Sequence, residues 1–143
     1  MKANIIENII KISMKCLEKR ENANELKDLH PKDAEILLSI EKDETISSNE
    51  LAKRNHLSPS RMSRIVDRLY KKGCISRQPL ENDRRYSELS LTSKGTKRRD
   101  EMFLFNNTCE KELGSRMSEE EMATVKKAII ILNQALKKDL NGK

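Results

Sequence analysis

Aromatic side chains are nearly missing from this sequence, which has no Trp, two Tyr and two Phe in 143 residues. A sugar-binding platform, an aromatic cage and a base-stacking sheet all need exposed rings, so none of these is expected. Cysteine is scarce as well. Cys16, Cys74 and Cys109 are odd in number and far apart, which leaves neither a disulfide framework nor a paired-thiol metal site. Four Gly and three Pro provide no low-complexity linker. No apolar run approaches the ~20 residues that span a bilayer. The opening MKANIIENIIKISMK is amphipathic and carries Glu7 and Lys11 inside its apolar stretch, unlike a signal peptide. A cytoplasmic location is therefore the expectation. His30 and His56 stand apart, with no Cys at ligand spacing, so no metal site is expected. There is no serine elbow, phosphate-cradling glycine loop or dinucleotide fingerprint, and hence no expectation of an enzyme or of a cofactor.

Charge is what the chain has in abundance. Charged residues make up 36% of it, as do hydrophobic ones, and the net charge is +6. The excess is not scattered. Residues 53–99 hold 14 Lys+Arg and 4 Asp+Glu, a net of +10, whereas the remainder holds 15 against 19, a net of −4. A basic middle between acidic flanks suits a polyanionic partner, because each neutralised phosphate releases counterions.

Apolar spacing divides the chain into helices and one hairpin, a mainly α fold. Ile5, Ile6, Ile9, Ile10, Ile12, Met14, Cys16 and Leu17 predict a first helix over 4–23 with a broad apolar face. Pro31 opens a second helix, expected to end near Lys42. A short third helix runs from Ser48 to Asn55, capped by Ser47 or Ser48. After the turn Asn55-His56-Leu57, Ser58-Pro59 starts a fourth helix, with Met62, Ile65, Val66 and Leu69 on one face and Gly73 as its stop. Cys74–Arg77 and Tyr86–Leu91 read as two strands of a hairpin whose basic tip is Asp83-Arg84-Arg85. Thr92 or Ser93 caps a long fifth helix that Gly114 is expected to end. Ser118 and Glu121 form a capping box for a sixth helix, with Met122, Val125, Ile129, Leu132, Leu136 and Leu140 as its stripe. A stripe of that length calls for a partner, and a homodimer is the expectation.

The third and fourth helices with their short turn make a helix-turn-helix. Ala52 supplies the small residue where the helices cross, and Leu51, Leu57, Met62 and Ile65 hold the angle. His56 stands where such turns usually carry Gly, and Asn55 where they carry an apolar residue. Opposite the apolar stripe, Arg61, Arg64, Arg68 and Lys71 fall at i, i+3, i+7 and i+10. Ser60, Arg61, Ser63 and Arg64 lie in the first turns, where a recognition helix meets base edges, and Arg can bond guanine O6 and N7 together. Phosphate contacts are expected from Arg68, Arg77, Arg84 and some of Lys53, Arg54 and Lys71. At the hairpin tip, Asp83 can orient a neighbouring guanidinium for insertion into a narrow minor groove.

With these elements in this order, SSNELAKRNHLSPSRMSRIVDRLYKKGCISR and ENDRRYSELSLTSKG make the chain similar to the MarR family of winged-helix regulators. The resemblance covers nearly the whole chain, and the DRR tip with LSLTSKG and the RLYKKG helix ending are its most specific parts. It implies one domain over 1–143, with a DNA-binding lobe over 31–92 and a dimerisation region over 1–28 plus 93–143. It implies a homodimer on a pseudo-palindromic duplex operator, a repressor released by a small molecule, oxidant or metal, and an Arg85 held by Asp83 in the minor groove. Two alternatives stay open. Cys16 could serve a thiol redox sensor on the same scaffold, although its apolar setting predicts a buried, structural thiol. The fold could also bind a protein instead of DNA. Cys74 and Cys109 are expected to pack inertly.

Overall fold

A computed structural model of the chain describes residues 4–22, 28–80 and 83–137, with side chains throughout except for 80–87. The elements in order are α1 (Ile5–Asn22), α2 (Pro31–Leu38), β1 (Ile46–Ser47), α3 (Ser48–Arg54) and α4 (Pro59–Lys71). They continue as β2 (Ile75–Leu80), β3 (Asp83–Leu91), α5 (Ser93–Ser115) and α6 (Glu119–Lys137). A mainly helical chain with a small antiparallel sheet is the fold that the residue spacing predicts. The chain parts within α5 into a unit of Met1–Phe105 and a unit of Asn106–Lys143.

The core of the first unit gathers the inward faces of α2, α3 and α4 over the sheet. Ile36, Leu37, Ile40, Leu51, Met62, Ile65, Leu69, Ile75, Leu89 and Met102 are all buried in it. Burial of each such side chain contributes roughly 1.5–3 kcal/mol, which sets the helices against one another. The sheet has the order β1-β3-β2, with Ile46 opposite Leu89 and Ile75 opposite Leu91. The two-residue β1 has no counterpart in the sequence reading, since a pair of residues carries no period.

Two boundaries differ from expectation. α2 stops at Leu38, not near Lys42. Ser39 ends it by donating its N–H and its hydroxyl to the Ile36 carbonyl, at 3.0 and 2.7 Å, and Asp43 then turns left-handed at φ 61°. Gly114 lies inside the last turn of α5, which ends one residue later. Among the described residues Gly73 is the only glycine of positive φ, at 74°, so the expected stop after α4 holds and the one after α5 does not.

The Asn106–Lys143 unit is joined by the capping box. Ser118 Oγ accepts from the Glu121 N–H at 3.0 Å, and Glu121 Oε2 accepts from the Ser118 N–H at 2.9 Å. Its α6 buries no residue, and Ile129, Ile130, Ile131 and Leu136 are exposed. Leu140 of the predicted stripe falls outside the described residues. In the first unit α1 also buries nothing, with Ile5, Ile6, Ile10, Ile12 and Met14 exposed. Cys16 is therefore exposed in α1, contrary to the expected burial, because the apolar face of that helix is left open in the single chain. No described helix is long and apolar enough to cross a membrane.

Candidate nucleic-acid interface

The local chemistry of α3 and α4 sets the angle between them. Ser47, not Ser48, caps α3, its Oγ accepting from the Glu50 N–H at 3.1 Å. Ser58 caps α4 in the same way by accepting from the Arg61 N–H at 3.2 Å, with Pro59 at the first helical position. Between them His56 adopts φ 54°, the left-handed conformation that glycine would enter freely. The Leu57 N–H then closes onto the Ala52 carbonyl at 2.9 Å, with Ala52 buried at the crossing. His56 thus fills the role of the usual turn glycine at some cost in backbone energy.

The buried face of α4 is Met62, Ile65, Val66 and Leu69, which turns the opposite side to solvent. Ser60, Arg61, Ser63, Arg64 and Lys71 are all exposed there. Among the described residues the Arg61, Arg64 and Lys71 side chains have no hydrogen-bond or ion-pair partner, and Ser60 Oγ lies only near Ser58 Oγ, at 3.5 Å. Arg61 and Arg64 are therefore free to meet an incoming acceptor.

Other basic residues of the region are committed within the chain. Arg68 donates from Nε to Asp33 Oδ2 at 2.9 Å and from Nη2 to Asp33 Oδ1 at 2.8 Å. The bond to Asp33 pushes the guanidinium above its ordinary pKa, so its charge is permanent. Arg77 pairs with Asp67 and lies over the Tyr70 ring, 4.3 Å from the centroid. Arg54 bonds both oxygens of Glu44 and the Ser39 carbonyl, the last at 2.8 Å. Lys53 is exposed. Asp33 is what residue spacing could not show. It sits in the first turn of α2, where an acid is ordinary, and its partner lies 35 positions away.

The hairpin follows α4 directly. β2 and β3 pair from Ile75 opposite Leu91 to Leu80 opposite Asp83, with a register shift between Pro79 and Leu80. Asp83, Arg84 and Arg85 thus open strand β3, where residue spacing expects the turn itself. Their side chains lie outside the described residues, as does the expected Asp83–Arg85 contact. The base of the hairpin is locked to α5. Thr92 Oγ1 accepts from the Gly95 N–H at 3.0 Å and donates to the Gly73 carbonyl, which makes Thr92 the cap of α5. A Cβ on Gly95 would stand 1.8 Å from the Cys74 carbonyl oxygen, so the TSKG segment needs glycine there for close approach of helix and strand. Cys74 itself is buried, and burial pushes its thiol up, away from the reactive thiolate.

The chain has clear relatives. The MarR family model matches residues 29–86. The HTH-type transcriptional repressor MdtR of Bacillus subtilis (strain 168) is 31% identical over 104 residues, covering 73% of this chain and 67% of the relative. The HTH-type transcriptional regulator PapX of Escherichia coli is 34% identical over 85 residues, 59% of this chain and 52% of PapX. Among solved structures, Streptococcus pneumoniae FabT in complex with DNA superposes with a TM-score of 0.80 at 26% identity, covering 94% of this chain and 96% of FabT. With a relative 31% identical and covered over two thirds of its length, and the family model matching the helix-turn-helix, this chain belongs to the MarR family.

Proposed function

We propose that the chain is a DNA-binding transcriptional repressor that works as a homodimer on a pseudo-palindromic duplex operator and is released by a small effector. The observation that carries the reading is the outer face of α4. There Arg61 and Arg64 stand exposed and unpaired among the described residues, beside Ser60 and Ser63, at the start of a helix rigidly held from behind. A recognition helix needs that combination: free bidentate donors on a fixed frame. MdtR is named a transcriptional repressor and FabT was solved with DNA, which supports the same reading for this relative.

In this reading α4 enters the major groove, and Ser60, Arg61, Ser63 and Arg64 meet base edges. Arg68, Arg77, Arg84 and some of Lys53, Arg54 and Lys71 approach phosphates, while Asp83 orients Arg85 in the minor groove. The lobe over 31–92 holds DNA. The segments 1–28 and 93–143 pair two copies through the open apolar faces of α1 and α6, whose exposed isoleucines support the assignment. The protein acts in the cytoplasm and is not a catalyst. Among the described residues Cys16 has no hydrogen-bond partner to activate it, so a ligand-released repressor is preferred over a Cys16 redox sensor.

Selection of bound duplexes from a random pool tests the reading. An inverted repeat with half-sites about one helical turn apart is expected. A pool with no enrichment contradicts it.

A further inference from the structure

The Asp33–Arg68 pair is unlike any other charged contact in the described chain. The Asp33 carboxylate is fully buried, at 0% exposure, while the Arg68 side chain is 47% exposed. A buried carboxylate is tolerated when it is paired and hydrogen-bonded, and Arg68 gives each Asp33 oxygen one partner with fork-on-fork geometry. The pair joins the first turn of α2 to the last turn of α4. It also lies on the basic stripe, seven residues after Arg61, on the side of α4 that faces out.

We propose that Asp33 is a positioning residue for DNA reading: it fixes the roll of α4 and holds Arg68 ready as a phosphate clamp. The proposal rests on the nucleic-acid reading above. Apolar packing of Met62, Ile65 and Leu69 sets which face of α4 turns inward, and what remains is a small roll that non-directional contacts restrain less than a bond of fixed geometry. A planar bidentate pair does have direction. With the pair in place, Arg61 and Arg64 present at a set angle. The Arg68 fork keeps its remaining N–H donors for a phosphate, because the bonds to Asp33 use only Nε and one Nη2 hydrogen.

This assigns opposite effects to charge and to geometry. Asp33→Asn makes the protein one unit more positive, so general attraction to DNA is kept or increased. The fork loses one of its two acceptors, so the angle of α4 is no longer fixed and operator binding weakens. The quantity to read is the ratio of affinities for an enriched inverted repeat and for a scrambled duplex of equal length, at one salt concentration. The operator probe is the duplex that the wild-type protein enriches from a random pool. In Asp33→Asn the ratio is expected to fall about tenfold or more, because a misplaced phosphate clamp weakens both duplexes alike while a misaligned α4 weakens only the operator. Arg68→Lys leaves net charge unchanged but cannot make the fork, and the same fall is expected. The double variant should be no worse than either single one, as expected if the two residues act through one contact, and the ratio of affinities, which a uniform loss of folded protein does not change, separates positioning from a structural defect. If Asp33→Asn fails to fold, Arg68→Lys, changed at a half-exposed position, decides alone. Folded variants that keep the wild-type ratio overturn the proposal while leaving the DNA reading intact. A wild-type protein that enriches no duplex overturns both.

Discussion

Arginine is used in two ways in the basic region. Arg54, Arg68 and Arg77 are each bound to a carboxylate of the same chain, whereas Arg61 and Arg64 are bound to none among the described residues. Formal charge thus overstates how much of the patch is free to read bases. Arg61→Ala and Arg64→Ala are each expected to weaken operator binding by roughly 1–3 kcal/mol and to relax base preference at one position. Equal affinity in an anisotropy titration would remove the residue from the interface. Gly95 carries a different load. With a Cβ directed at the Cys74 carbonyl, Gly95→Ala forces α5 off the strand and is expected to lower stability by roughly 3 kcal/mol, read in a thermal melt. An unchanged melting temperature would show that the start of α5 can yield. Single residues were legible in the sequence when their role was local. Ser58-Pro59, the Ser118–Glu121 box and Ala52 announce themselves through short-range spacing. The Asp33–Arg68 pair is hidden by the 35 positions between its members, and Cys16 is exposed where its apolar setting predicts burial, because apolar neighbours in the sequence need not cover a residue in one chain.

Elements were predictable to the extent that a period defines them. The stripe of α4 and its two end signals placed that helix to the residue. The end of α2 is not, since Ile40 continues the helical apolar spacing while Ser39 folds back on Ile36. Gly114 misled for the complementary reason: glycine favours a helix end but does not enforce one. The link between α2 and α3 depends on Glu44. Its hydrogen bond from Arg54 holds the Glu44 carboxyl below the ordinary range, against a smaller opposing effect of burial. A lowered carboxylate pKa means that the folded form binds fewer protons, so the contact contributes above pH ~4.3 and is lost as pH falls through the lower folded value. Glu44→Gln is expected to melt with a shallower dependence on pH in that acid range. A slope equal to wild type would place the acid sensitivity elsewhere. At the other end of the same segment, Ser47→Ala removes the cap of α3 and should cost about 1 kcal/mol in denaturant unfolding. No loss would mean that water replaces the hydroxyl.

At the scale of the whole molecule, two kinds of surface have no use in an isolated chain. One is apolar: the isoleucines of α1 and α6 are exposed in a sequence of mean hydropathy −0.77, which has few apolar residues to leave idle. The other is basic and concentrated in residues 53–99. The proposed homodimer gives both a use, with the apolar faces meeting partner copies and two basic heads facing one duplex. Ile10→Asp in α1 is accordingly expected to shift sedimentation from dimer towards monomer and to reduce operator affinity with it. A dimer unaffected by this change would remove α1 from the pairing surface. The most direct measurement of the central claim is a fluorescence-anisotropy titration of a labelled duplex across a salt series. Wild type should bind with a log–log salt slope steeper than about −4, and the Arg61→Ala/Arg64→Ala double variant should bind far more weakly at every salt. No binding at about 50 mM salt, or a slope near zero, would contradict the account.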